Sequence, residues 1–236
     1  YFSSFWDKRI RIRAQEVTMS RLNVFVRTYR YELIVFAAAF LIRGAYALVV
    51  QIVSGSHGFI SFSDSEFFYY REALNILNHQ VFSLAPSAPF VPEGYHTPLY
   101  PLFLAGLLFA GLPLFGVVLV QDVLCGLTAV LAYRIGIHLT QSKTISFVAA
   151  LVLAIEPMYI YWSTLLMSDP FWAFLFVASL YFLTQERPYV AMCVLGLSAL
   201  ARPVSLYLMP AFICMIIYQE YAKGVDIKKI GLKAVV

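Results

Sequence analysis

The stretch LFGVVLVQDVLCGLTAVLAYRIGIHL, residues 114–139, decides the fold class. A helix rises about 1.5 Å per residue, so about 20 apolar residues cross a bilayer core. This run exceeds that length, and among Asp, Glu, Lys and Arg it holds only Asp122 and Arg134. It predicts a full membrane span. Upstream, YELIVFAAAFLIRGAYALVVQIV (31–53) predicts a first one. Downstream, Ser146 to Trp162 predicts another close to the minimum length, and Pro170 to Thr184 a further helix. Tyr189 to Tyr221 is apolar but interrupted at Ala201-Arg202-Pro203. Between the first two spans runs a polar, Pro/Gly-rich stretch, Ser54 to Thr97, in which Ser65 to Asn78 reads as a short helix. Pro98 to Leu112 is too short to cross and fits an interfacial or re-entrant helix.

Composition agrees. The chain is 61% hydrophobic and 13% charged, with mean hydropathy +0.77. A soluble domain carries about 25% charged residues. No alternating strand pattern points to a β-barrel. The fold class is therefore all-α: a polytopic integral membrane helical bundle with a large first outside loop carrying interfacial helices. The net charge of +4 is no sign of nucleic-acid binding, because the basic residues sort by side of membrane. Cys125, Cys193 and Cys214 all fall in apolar helices, where each reads as a small buried hydrophobe rather than a disulfide or metal ligand.

The positive-inside rule orders the spans. With Pro98–Leu112 left uncrossed and a break at Arg202-Pro203, the inside segments are 1–30, 134–143, 186–188 and 222–236. Of the 17 Lys and Arg residues, only Arg43, Arg71 and Arg202 then lie elsewhere. The expectation is six spans with both ends cytoplasmic. Residues 1–30 form a basic cytoplasmic segment, 31–221 the transmembrane domain with an outside loop of about 54–113, and 222–236 a basic loop opening a further C-terminal part. No cleavable signal peptide is read, because the first apolar run comes late and is long enough to span. Met19 is a candidate native start.

Few residues in such a chain can carry chemistry. Ser63-Asp64-Ser65-Glu66 has capping-box spacing, so Asp64 reads either as a charge at a helix N-terminus or as a general base for an acceptor hydroxyl. Ser168-Asp169-Pro170 reads as an N-cap with proline at the first helical position, yet topology puts Asp169 on the same face as Asp64. Gly94 to Pro101 (GYHTPLYP) reads as a turn into an interfacial helix, with Tyr95 at headgroup level and His96 as a donor to a phosphate or sugar. Arg202 suits a phosphate, because an arginine at membrane depth must snorkel, pair or line a wet cavity. Its competing role is pairing with Glu156. Arg43 snorkels or pairs with Glu32 or Asp122.

In order along the chain stand the Asp64-led helix through Tyr69-Tyr70-Arg71-Glu72-Ala73, the 94–105 stretch, Gln121 with Gly126-Leu127-Thr128-Ala129, Glu156-Pro157, Ser168-Asp169-Pro170, and Leu200-Ala201-Arg202-Pro203. Together they resemble the GT-C glycosyltransferases, in particular the dolichyl-phosphate-mannose–protein mannosyltransferases and the bacterial aminoarabinose-type lipid-phosphate-sugar transferases. The resemblance implies catalytic roles for Asp64, as base, and Asp169. It implies substrate contacts from His96 and Arg202 to the donor phosphate, and Tyr95 and Glu66 join the substrate-binding candidates. Asp64 is followed by Ser65, whereas many relatives have Asp-Glu there, and Tyr95 stands where the aminoarabinose branch has a metal-linked glutamate. No cofactor is required by the sequence; a divalent metal is compatible with it but unsupported. The implied activity is inverting transfer of a sugar from a polyprenyl (dolichyl or undecaprenyl) phosphate to a hydroxyl acceptor on a protein, lipid or glycan. It would take place at the outer or lumenal face of a bacterial, archaeal or endoplasmic reticulum membrane. The rival class is a non-enzymatic transporter or lipid-handling subunit, whose charges would converge at the midplane.

Overall fold

The computed structural model describes residues 24, 26–61 and 64–222, with only the backbone described for 64–66. Most of the basic N-terminal segment, the segment after Ala222, Ser63, and the side chains of Asp64 and Glu66 therefore lie outside the described residues. Among the described residues the chain is helical and has no strand. Helix α1 spans Arg30–Ser54 and runs into a 3-10 turn, Gly55–Ile60. A π-helix, Asp64–Tyr70, continues directly into α2, Arg71–His79. Then come α3 (Leu99–Phe109), α4 (Leu114–Thr140), α5 (Lys143–Ile155) and α6 (Pro157–Thr164). The last three are α7 (Ser168–Thr184), α8 (Pro188–Ala201) and α9 (Val204–Ala222).

Three helical segments are long and apolar enough to cross a membrane: Arg30–Ile60, Leu114–Thr140 and Val204–Ala222. A fourth is the pair α5 and α6, bent by 50°. The single helix expected over 146–162 is thus broken at Glu156. The apolar helices α7 and α8, of 17 and 14 residues, pack side by side as a hairpin and are shorter than a full crossing. Helix α3 has 11 residues, about 16 Å of helix, roughly half of a bilayer core.

Helix α4 is the hub, packing against α1, α5 and α7. Small residues let the backbones approach. A Cβ on Gly126 would meet the Phe36 ring of α1 at 2.8 Å, and one on Gly136 would meet Ser146 of α5 at 3.0 Å. At one end of the bundle Glu32 of α1 lies 3.7 Å from Arg134 of α4. Two buried apolar clusters flank the hub. One joins Ala47, Phe59, Ala73, Leu104, Val117 and Leu166; the other joins Val35, Ala39, Ala129, Tyr133, Ala150 and Ala154. Of the cysteines only Cys125 is buried; Cys193 and Cys214 are exposed, correcting the expectation for those two. They lie on α8 and α9, which have faces that no described residue covers.

The breaks follow from local chemistry. Proline cannot donate a backbone N–H and is pre-set for the first helical position, so Pro157 starts a new helix. Glu156 caps it by accepting from the Met158 amide at 3.0 Å and from the Tyr159 amide. The carbonyls left free where α5 ends are met by Arg43 of α1. Its Nη1 donates to Ala154 at 2.5 Å and its Nη2 to Leu153 at 3.4 Å, and its guanidinium sits 4.9 Å from the Tyr159 ring centroid. Arg43 is fully buried. It neither snorkels nor pairs with Glu32, and Asp122 acts on it only through its electrostatic field. A cation at a helix C-terminus complements both the carbonyls and the helix dipole.

Candidate active site

The other break lies at the opposite end of α8. The helix stops at Ala201, Arg202 is extended (φ −150°, ψ 130°), and α9 begins at Val204. Backbone groups freed at such a break need partners inside the protein. Thr97 Oγ1 donates to the Ala201 carbonyl at 2.8 Å, the Arg202 amide to Ser198 at 2.9 Å, and the Ser205 amide to Arg202 at 3.3 Å. Ser198 and Ser205 join by their hydroxyls at 2.7 Å, and Trp172 Nε1 donates to Ser205 Oγ at 2.8 Å. The guanidinium of Arg202 forms an ion pair with Asp169, in the first turn of α7. Each side chain is 37% exposed. The alternative of pairing with Glu156 is therefore corrected: Glu156 is spent on its own helix.

Asp169 differs from expectation as well. Helix α7 begins at Ser168 after Met167, and no side chain caps it. Ser168 is buried and shares a hydrogen bond with the Tyr69 hydroxyl at 2.9 Å. Asp169 instead faces Arg202. The segment leading into α7 is extended at Leu165 and Met167 yet buried. It is held by Gln121 of α4, whose Nε2 donates to Ser163 at 3.0 Å and to Leu165 at 2.9 Å. The Leu166 amide donates to Phe59 at 3.0 Å. Tyr100 donates to Gln121 Oε1 at 2.5 Å, tying α3 to the same support. Burial, with Tyr69 and Asp169 nearby, drives the Tyr100 hydroxyl well above the ordinary tyrosine pKa, so it stays protonated and donates.

The first loop closes onto this end. The π-helix that starts at Asp64 carries Tyr69, which touches Ser168 and lies edge-on to Tyr100 at 5.1 Å and to His96 at 5.7 Å. A π-helix is rare and marks functional segments more often than ordinary turns do. His96 packs on Phe68 at 4.6 Å between ring centroids. His96 Nδ1 lies 3.2 Å from Glu72 Oε1 and 3.9 Å from Glu93 Oε1. Glu72 is fully buried, and desolvation, then the Glu93 charge, pushes its pKa up to about 7. Tyr95 is 86% exposed, at the rim, with its amide bonded to Glu93 Oε1 at 2.6 Å.

Four of the six candidates named from sequence thus fall into three places. Asp169 and Arg202 meet directly; His96 reaches the same end through Tyr69 and Thr97; Tyr95 stands at the edge. Asp64 opens the helix that abuts α7, its side chain being outside the described residues, as is that of Glu66. Sequence reasoning missed Glu72, Tyr69, Tyr100 and Gln121 as contributors. All four stood within the motifs that carry the family resemblance, where none was given a role.

Comparison with known proteins found a family model that matches residues 95–236, described as dolichyl-phosphate-mannose-protein mannosyltransferase. The match covers more than half of the chain, and His96, Gln121, Asp169 and Arg202 fall within it. No curated protein and no solved structure matched. The chain therefore belongs to the dolichyl-phosphate-mannose-protein mannosyltransferase family, as an integral membrane glycosyltransferase of the GT-C type.

Proposed function

We propose that this protein transfers a sugar from a polyprenyl phosphate to a hydroxyl acceptor, at the outer or lumenal end of the bundle where Asp169 meets Arg202. That ion pair is the observation that carries the reading. It is partly open to solvent, stands at a helix break beside the Asp64-led helix, and belongs to a chain of a lipid-phosphate-sugar transferase family. The solvent-open Asp169–Arg202 pair at the first-loop end, set against an Arg43 that is fully buried and taken up by carbonyls, favours the transferase over a transporter.

The chemistry needs little from the protein. The acceptor oxygen attacks the anomeric carbon from the face opposite the phosphate, and the configuration inverts. The bond from that carbon to the phosphate oxygen breaks, and the phosphate leaves with the electron pair. Asp64 takes the acceptor proton. Arg202 meets the charge on the phosphate; its planar fork has donors enough for Asp169 and a phosphate oxygen together. Asp169 holds that fork in place and completes the catalytic pair. His96 has one ring nitrogen turned to Glu72, so at most the other serves the substrate. Tyr95 and Glu66 would contact the sugar or headgroup.

The test is transfer by the full-length protein with a polyprenyl-phosphate sugar. A positioned base contributes about 10²–10⁴-fold, so Asp64→Asn lowers turnover by at least about 10²-fold while expression is unchanged. Turnover within a fewfold of wild type would reduce Asp64 to a helix cap. Orientation has its own check in a cysteine-free background. Ser87→Cys should react with an impermeant thiol reagent from outside, and Lys143→Cys only from inside. Labelling of both from one side would overturn the topology.

A further inference from the structure

We propose that Glu72, Glu93 and His96 form a binding site for a divalent cation of the zinc class, built into the first loop. One ligand atom from each residue lies within 4.8 Å of the others, on α2 and on the loop before α3. Glu72 is fully buried, and among the described residues neither of its carboxylate oxygens has a hydrogen-bond partner. A carboxylate removed from water with no donor is costly unless it takes up a proton or a cation compensates it. The His96 imidazole brings Nδ1 to 3.2 Å from Glu72 Oε1, so these two ligand atoms are immediate neighbours.

The spacing suits coordination. Zinc–nitrogen bonds of about 2.0–2.1 Å and zinc–oxygen bonds of about 2.0–2.2 Å give a tetrahedral edge of roughly 3.4 Å. The Glu72–His96 separation of 3.2 Å is close to that edge, and the Glu93 separation of 3.9 Å needs a small side-chain movement. One imidazole with two carboxylates favours zinc over magnesium or calcium, which take oxygen ligands, and the lack of a thiolate disfavours copper(I). Three protein ligands leave a fourth position open, the arrangement of zinc sites that bind a further molecule.

The supporting shell is in place. Asn75, one turn along from Glu72, donates to Ser83 at 2.6 Å and to Ala85 at 2.9 Å, which pins the 80–93 loop. The Glu93 amide donates to Phe82 at 2.9 Å, and the Tyr95 amide holds Glu93 Oε1. Such outer contacts fix the orientation of metal ligands. This ligand set differs from the glutamate that the aminoarabinose resemblance would put at Tyr95, and the inference does not rest on the transfer reading.

The test uses the tag-free full-length protein in nanodiscs, stripped with EDTA and then given Zn²⁺ alone. Equilibrium dialysis with elemental analysis should find about one equivalent bound, with a rise in melting temperature, because a cation held only by the folded state stabilises it. Glu72→Gln and Glu93→Gln should each weaken binding by at least about 10-fold, since even the outer partners of metal ligands are worth that much. Both should abolish the zinc-dependent rise. In EDTA, Glu72→Gln should melt no lower than wild type, because the amide keeps the shape without the buried charge. Glu93→Gln, at a more accessible position, carries the test if Glu72→Gln misfolds. Undiminished uptake in both variants, or no uptake by wild type, would overturn the site. So would a Glu72→Gln protein that melts lower equally with and without zinc, since that marks a plain Glu72–His96 pair.

Discussion

Two arginines serve two helix breaks in this bundle, and they serve them differently. Arg43 stands at the α5–α6 break, is 0% exposed, and spends its guanidinium on the Leu153 and Ala154 carbonyls. Arg202 stands at the α8–α9 break, is 37% exposed, and faces Asp169, while Thr97 and Ser198 look after the local backbone. The first cation replaces hydrogen bonds that the broken helix lost. The second is not needed for that, because the Thr97 hydroxyl and the Ser198 carbonyl already do it. A cation held by one carboxylate, with surface left over, is available to a ligand. A cation consumed by carbonyls is part of the scaffold. Their local sequence settings, apolar helix around a lone arginine, look alike; burial and partners separate them.

The largest effect that sharpens this contrast is on Arg43. Arg43→Met leaves two carbonyls unmet and Asp122 without its compensating charge. Removing one partner from a buried charged cluster costs roughly 3–5 kcal/mol. Thermal unfolding in detergent should register that loss, and Asp122→Leu in addition should recover part of it. Unchanged melting would put the two arginines on a par. Next comes Glu156→Ala, which removes the cap of α6 and should cost about 1 kcal/mol, seen as a small drop in melting temperature with donor binding unchanged. Smallest is the stability effect at the second break. An ion pair this exposed is worth no more than about 1 kcal/mol, so Arg202→Ala and Asp169→Asn should melt close to wild type. A loss at Arg202 as large as that at Arg43 would make both structural.

How much of this was legible in the sequence depended on range. The break at Arg202-Pro203 and the short Pro98–Leu112 helix rest on residues within a turn or two of each other. Hydrophobic length and proline chemistry suffice for those. The partners did not follow, because they come from far away. Arg43 meets a carbonyl 111 residues on, Thr97 one 104 residues on, and Tyr69 a serine 99 residues on. Ser168-Asp169-Pro170 also fits a helix cap locally, yet tertiary contacts with Tyr69 and Arg202 claim the Ser168 and Asp169 side chains. Glu72 was passed over for a related reason. On a short helix with polar neighbours it reads as solvated, and only the folding of the loop over α2 buries it against His96.

The central claim is that Arg202 is a ligand-binding cation. The direct measurement is affinity for a polyprenyl-phosphate sugar in wild type, Arg202→Lys and Arg202→Ala, each checked for equal melting temperature. A charge-assisted bond is worth about 1.5–3 kcal/mol, so the alanine variant should bind at least roughly 10-fold more weakly. The lysine variant, which keeps the charge and loses the fork, should fall between. Equal affinities across the three proteins would contradict the account and leave Arg202 as a structural partner of Asp169.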